Sequence, residues 1–347
     1  MLPEDVLLQA QQDILNWQNQ GLSILEVGHR TEAFTSLVAE TELLVRQILN
    51  VPNNYRILFL GGAARAQFAN IPANFLHARE KAAYIVTGTW SEMAYEEAQK
   101  CFSSAYCVAT ASASNFTDLP VQCADIMPST KYLYFCPNET IHGVRFLPPQ
   151  SMNSVPWVAD MTSCLFSEPI DVSQYGLIFA GAQKNIANAG LTLVIVRQEW
   201  LDEPPWQLLP TMLDLRTHAQ HNSLFATPPT FNIYLANLML HWLNGQGGLQ
   251  AIYEANQSKA KLLYSFLDTS AKYRALVKPQ ARSIMNVCFT SDINKHDLAI
   301  INQAENNGLY GLKGHRLLGG LRASIYNAMP ISGVEKLIAF LENFVND

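Results

Sequence analysis

An α/β fold, with a large domain built on a mostly parallel sheet and a smaller α/β domain after it, is predicted by three features of the sequence. Short apolar runs recur along the chain with helical segments between them. The runs are continuous rather than alternating, as in strands covered on both faces. At 347 residues the chain also exceeds one ordinary core.

Residues 3–17 have a helical period, with Val6, Leu7, Ala10, Ile14 and Leu15 on one side and Pro3 near the start. Residues 33–49 form a second amphipathic helix, stopped ahead of Pro52. The run 56–60 (RILFL) is the first buried strand, and GGAARAQF leads from it into a helix. Strand 83–86, helix 91–100 and strand 105–108 continue the alternation, and ATASASNFTDLP reads as a loop. Apolar strands return at 132–135, 155–159, 177–180 and 191–196. Residues 228–243 form a strongly apolar helix, and the glycines between 245 and 248 interrupt the chain. A long helix, 249–267, bridges to a second unit with strands 285–289 and 322–326 and helices 297–307 and 333–345. The expected division is a large domain over 1–255 and a small one over 256–347, with the N-terminal helix able to pack against the small domain.

Bulk properties restrict the function. The composition is 49% hydrophobic and 15% charged, the net charge is −6, and no basic run occurs. That balance argues against nucleic acid or an anionic membrane as the main partner. Six cysteines form no CxxC pair and no zinc-ligand spacing. His218 and His221 lie in a polar stretch that reads as a loop, with no carboxylate or cysteine cluster beside them. The start, MLPEDVLLQAQQD, lacks the basic and apolar pattern of a signal peptide, and no run reaches spanning length. A cytoplasmic protein without bound metal is the expectation.

Chemistry is concentrated in GLIFAGAQKNIANAGLTLVIV, residues 176–196. Two apolar strands flank a tight loop that carries Gln183 and Lys184. Burial there disfavours the charged amine and makes Lys184 a candidate nucleophile towards a carbonyl. A loop lysine pointing to solvent is the plainer alternative. Gly181, Ala182, Ala187, Ala189 and Gly190 leave room for a bulky group against the backbone. The upstream strand ends in Asp160, a suitable partner for a pyridine nitrogen. Together these residues suggest a lysine that holds pyridoxal phosphate as a Schiff base.

The motifs SILEVGHRTEAF, PNETIHGV, DVSQYGLIFAGAQKNIANAGLTLVIVR, TPPTF, KGHR and LRASIYNAMP span nearly the whole chain. In this order they resemble the phosphoserine aminotransferase family, class V enzymes of the fold-type I pyridoxal-phosphate group. The resemblance implies Lys184 as the Schiff-base lysine and Asp160 as the acid that keeps the pyridine nitrogen protonated. It implies Trp90 stacking on the cofactor ring and Thr140 contacting the ring substituents. Ala64 and Arg65 would grip the phosphate with Gln183, and Thr227 would reach across from the other subunit of a homodimer. Arg322 would take the substrate α-carboxylate. Arg30 would be a second substrate arginine, and His29, Arg65, His315 and Arg316 would take the substrate's phosphate or glutamate's side-chain carboxylate.

The implied reaction moves an amino group between glutamate and 3-phosphohydroxypyruvate for serine synthesis, with 4-phosphohydroxythreonine (vitamin B6 synthesis) as a second possible substrate. Three departures accompany the resemblance. The family carries a further NFSSGPA-like segment ahead of MLP. Ala63 and Ala64 stand where it has glycines, so a positive φ there would be strained. Ala226 replaces an asparagine before the TPP threonine. At the level of the residues two alternatives stay open: an aminotransferase or lyase for another acidic amine, and a non-catalytic cofactor-binding relative.

Overall fold

The computed structural model describes residues 2–291 and 297–344. Helices α1 (Glu4–Asn16) and α2 (Glu32–Ile48) open the chain. Thr31 caps α2 by accepting the Phe34 N–H, one of the donors that a helix start leaves open. Strand β1 (Tyr55–Gly61), helix α3 (Gln67–Phe75), strand β2 (Lys81–Val86), helix α4 (Thr89–Cys101) and strand β3 (Ala105–Thr110) alternate after them. Strand β4 (Thr130–Phe135) is followed by a short ribbon, β5 (Asn138–Glu139) and β6 (Val144–Arg145). Strands β7 (Trp157–Asp160), β8 (Tyr175–Gly181) and β9 (Leu191–Arg197) complete the main sheet.

The seven strands lie in the order β1-β9-β8-β7-β4-β2-β3. Pairs from β8 through β7, β4 and β2 to β3 are parallel, whereas β9 is antiparallel to both β8 and β1. Both faces are covered, because successive side chains of a strand point to opposite sides. Ile57 and Phe59 enter one core with residues of α1 and α2, and Leu58 and Leu60 enter a second core with Phe68 and Ala94 from α3 and α4. This accounts for the continuous apolar runs.

Short helices α5 (Gln198–Asp202) and α6 (Leu215–Gln220) precede α7 (Thr230–Gly245) and α8 (Gly248–Thr269). Gly247 and Gly248, at φ +93° and +80°, form the break between the two long helices, a conformation that glycine adopts without penalty. Helix α8 places Ile252 in the first core and Leu263 in a separate C-terminal core. That C-terminal core lies on an antiparallel sheet of β10 (Tyr273–Ala275), β11 (Asn286–Ser291) and β12 (Leu321–Ser324). Helices α9 (Asp297–Asn306) and α10 (Ile331–Asn343) add to it.

Several expectations are corrected. Helix α1 packs on α7 rather than on the C-terminal unit: Val6 and Ala10 join the core that holds Ile233, and the Tyr234 hydroxyl donates to Asp13. The stretch with His218 is helix α6, not a loop; Asp214 caps it, and His218 is buried with Nε2 3.0 Å from Met212 O. The expected strand 155–159 begins at Trp157, after Pro156, which has no N–H to give to the ladder. Residue 345, placed in the last helix by the sequence, lies outside the described residues.

Candidate active site

Asp160 ends β7 and pairs in register with Phe179 of the neighbouring parallel strand β8. Parallel strands bring their carboxyl ends to one edge of the sheet, where ligands of such folds bind. Two bonds fasten this edge: Met161 N–H donates to Phe179 O at 2.8 Å, and Gly181 N–H to Thr162 Oγ1 at 3.0 Å. Past Gly181 the chain turns back into β9, and Ala182 N–H donates to Leu191 O at 2.9 Å across the mouth of the turn. Lys184 sits in the loop so closed.

Both residues line a cavity of about 370 Å³. The Lys184 pKa is lowered to about 8, by burial first and by the Arg322 guanidinium second, with Asp160 opposing the shift. Asp160 is buried, and burial raises its pKa against hydrogen bonds from Thr162 and the charge of Lys184. The Thr162 N–H reaches Asp160 Oδ1 at 2.9 Å. The Lys184 Nζ also lies 5.4 Å from the centre of the Tyr326 ring.

The other walls come from segments far apart in sequence. Trp90, in the first turn of α4, is held through its backbone: Glu139 Oε2 accepts the Trp90 N–H at 3.0 Å. Glu139 Oε1 accepts the Ser91 N–H at 2.8 Å and the Ser91 hydroxyl at 2.6 Å. This carboxylate is fully buried at a helix start, where the open N–H groups favour a negative charge. Burial nevertheless raises its pKa to about 7. Gly88 is required beside it, since a Cβ there would lie 2.5 Å from Glu139 Cδ.

Ala63, Ala64, Arg65 and Gln183 also line the cavity. Residues 64–66 form a tight helical turn that no side chain caps, running into α3. The strain expected at the alanines is absent: Ala63 has φ −81° and ψ 141°, while the left-handed position, φ +115°, falls on Gly62. Alanine is therefore compatible with this loop.

The cavity thus brings together seven sequence-predicted residues: Ala64, Arg65, Trp90, Thr140, Asp160, Gln183 and Lys184. Arg322 stands beside it, donating from Nη1 to Thr140 O at 3.3 Å with its buried Nε unpartnered among the described residues. His315 faces Arg322 and Arg316, and burial together with these two cations lowers its pKa. Arg316 and Arg30 are exposed, and His29 is half-buried with Nε2 unpaired among the described residues. His29 and Arg30 do not line the cavity. Thr227 and Ala226 line a separate one of about 140 Å³ with Gly61, Gln67 and Pro228.

Sequence reasoning missed Glu139, Asn138, Thr162 and Ser163. The last three line the cavity, and Asn138 Nδ2 donates to Ser163 Oγ at 2.7 Å. The only signal for Glu139 was an acid directly before Thr140, after an apolar strand.

A model of the class V aminotransferases matches residues 1–337. A phosphoserine aminotransferase of Legionella pneumophila is 51% identical over 100% of this chain and 96% of its own length. The solved phosphoserine aminotransferase of Bacillus circulans subsp. alkalophilus superposes with a TM-score of 0.95 at 40% identity, covering 99% of this chain and 95% of that one. The pyridoxal-phosphate-bound phosphoserine aminotransferase of Trichomonas vaginalis gives 0.94 at 35%, covering 99% and 97%. The chain belongs to the class V aminotransferase family and, inside it, to the phosphoserine aminotransferases.

The Trichomonas vaginalis relative holds pyridoxal phosphate. The residues present fit that group: a low-pKa amine and a buried acid share one cavity, and an uncapped helical turn stands at the wall beside Gln183. Backbone N–H groups at such a turn favour an anion.

Proposed function

We propose that Lys184 is the amine that carries the cofactor and moves the substrate proton, with Asp160 as the acid beside the ring nitrogen. The reaction is transfer of the amino group of glutamate to 3-phosphohydroxypyruvate, giving O-phosphoserine and 2-oxoglutarate in serine biosynthesis. Bound pyridoxal phosphate supplies an aldehyde and an electron-withdrawing ring that stabilises negative charge at the amino acid α-carbon.

Around that group each side chain has its own task. Lys184 would hold the cofactor through its amine and, when that amine is free, would take the proton from the substrate α-carbon, a task that suits an amine with a pKa of about 8. Asp160 keeps its negative charge at the buried end of the cavity and so favours a protonated ring. Trp90 offers a flat face, and Thr140 contacts the ring edge. Ala64, Arg65 and Gln183 hold the phosphate. Arg322 takes the substrate α-carboxylate, and His29, Arg30, Arg65, His315 and Arg316 take the distal phosphate or carboxylate. Arginine suits these tasks because its planar fork matches both anions.

The observation that carries this reading is the meeting of Lys184 and Asp160 in one cavity, with the lysine pKa lowered by burial. Lys184→Ala tests it: turnover is lost while the protein remains folded, and retained turnover in that variant overturns the assignment. Adding glutamate to the purified enzyme should shift its visible absorbance to the near ultraviolet.

The same reading includes a homodimer in which Thr227 completes the partner's phosphate site. Met212, which is exposed and lines the Thr227 cavity, and the exposed Trp206 and Leu208 shortly before it in sequence support a covered surface. Sedimentation should then give twice the chain mass. A large domain over 1–255 and a small one over 256–347, cytoplasmic location and a second activity on 4-phosphohydroxythreonine complete the proposal. No described helix is long and apolar enough to cross a membrane.

A further inference from the structure

Behind the lysine loop lies a buried polar cluster that the reaction, as derived above, does not use. Strand β12 ends at Ser324, and residues 325–327 leave the sheet with carbonyls that need donors. Lys259 on α8 supplies them. Its Nζ donates to Ile325 O at 3.2 Å, Tyr326 O at 2.8 Å and Asn327 O at 3.5 Å. An ammonium has three protons and no acceptor, so three carbonyls use it fully. The side chain is 2% exposed, and burial lowers its pKa to about 8.

Asn327 ties this segment to the lysine loop. Its N–H donates to Asn185 Oδ1 at 3.2 Å, and its Nδ2 donates to Phe166 O at 2.8 Å. Its Oδ1 accepts from Asn256 Nδ2 at 2.9 Å. Asn185 in turn donates from Nδ2 to Leu165 O at 3.3 Å. The segment that Asn185 grips also presents the Tyr326 ring to Lys184 and continues the strand that carries Arg322. Lys184 is therefore surrounded by Arg322, Asp160 and Tyr326, two of them borne by one strand end.

We propose that Asn185 is a positioning residue: by bonding the backbone of Asn327 it fixes the distance between the reacting amine next to it and Arg322, while Lys259 holds the same segment from behind. The inference rests on Lys184 being the reacting amine. Misplacement of about an ångström at a reacting centre costs up to about 100-fold in rate, so small slack here is consequential.

The test uses the holoenzyme with Asn185→Ala and, as a purely structural comparison, Tyr273→Phe. The latter deletes a buried hydroxyl bond to Leu341 O in the C-terminal core. Two quantities are read: kcat, and the pH midpoint of the bound cofactor's visible absorbance. Asn185→Ala should lower kcat by about tenfold or more and raise the midpoint by about half a unit or more as the amine site drifts from Arg322 and gains water. Tyr273→Phe should lower only the melting temperature.

A folded Asn185→Ala enzyme with parental kcat and midpoint overturns the proposal, as does a loss of thermal stability with the midpoint unmoved. If that variant does not fold, Asn185→Ser and Lys259→Met are read by the same two quantities. A parental midpoint in both overturns the proposal, and a raised midpoint in either supports it. Turnover by Lys184→Ala overturns instead the reading beneath it, so the two failures are distinguishable.

Discussion

Glu139 holds Trp90 by its backbone rather than by its ring: the carboxylate takes the Trp90 N–H at 3.0 Å, and the indole is left free for the cavity. Glu139→Gln keeps the shape but turns an NH₂ group towards backbone donors. Leaving such groups unpaired costs about 1–3 kcal/mol. Chemical denaturation should show that loss, together with weaker cofactor retention, because the start of α4 loosens. Unchanged stability would mean the contact has no such role.

Lys184 should titrate early, as the buried Lys259 does behind it. A folded pKa near 8, against 10.5 for an ordinary lysine, leaves far more neutral amine at neutral pH. In cofactor-free protein, amine-selective labelling at Lys184 should rise with pH and level off just above 8. The exposed Lys100, whose pKa is raised by Glu97, should still be climbing there. Mass spectrometry of labelled peptides gives both curves, and coincident curves would contradict the burial argument.

The loop before α3 yields an asymmetric pair of substitutions. Gly62→Ala places a side chain at φ +115° and should destabilise by about 1–3 kcal/mol. Ala63→Gly, at an ordinary extended conformation, should cost under about 1 kcal/mol. Thermal unfolding of the two variants side by side checks the order.

Arg322→Lys retains charge but loses the planar fork, so carboxylate binding should suffer more than folding does. The expected result is a rise in KM for glutamate of about tenfold, from loss of one charge-assisted hydrogen bond. Steady-state kinetics with glutamate varied measure it. An unchanged KM would place the α-carboxylate elsewhere.

Much of this molecule was legible because its strands are covered on both faces. Runs such as 155–159 and 177–180 read as strands covered on both faces, and their carboxyl ends pointed to Asp160 and Lys184. The direction of β9 was not legible, since a continuous apolar run has the same appearance in either sense. Glu139 was hidden for another reason. Its meaning depends on a helix start 48 residues away in sequence, and local pattern carries no such information. Asn185 and Asn327 are 142 residues apart and were hidden in the same way. The polarity of helix α6 masked it as a loop, because a six-residue helix is too short to display a period.

The reversal of β9 has a mechanical consequence. Leu177 through Gly181 pair with Val196 through Thr192, so the lysine-bearing turn is stitched shut by its own two strands. Residues 183–190 lie outside that pairing, so the alignment of the two strands does not depend on them, whereas the reach of the amine depends on the contour length of the turn and on the Asn185 tie to Asn327. The turn is a gauge for the nucleophile with two settings, its length and its polar anchor.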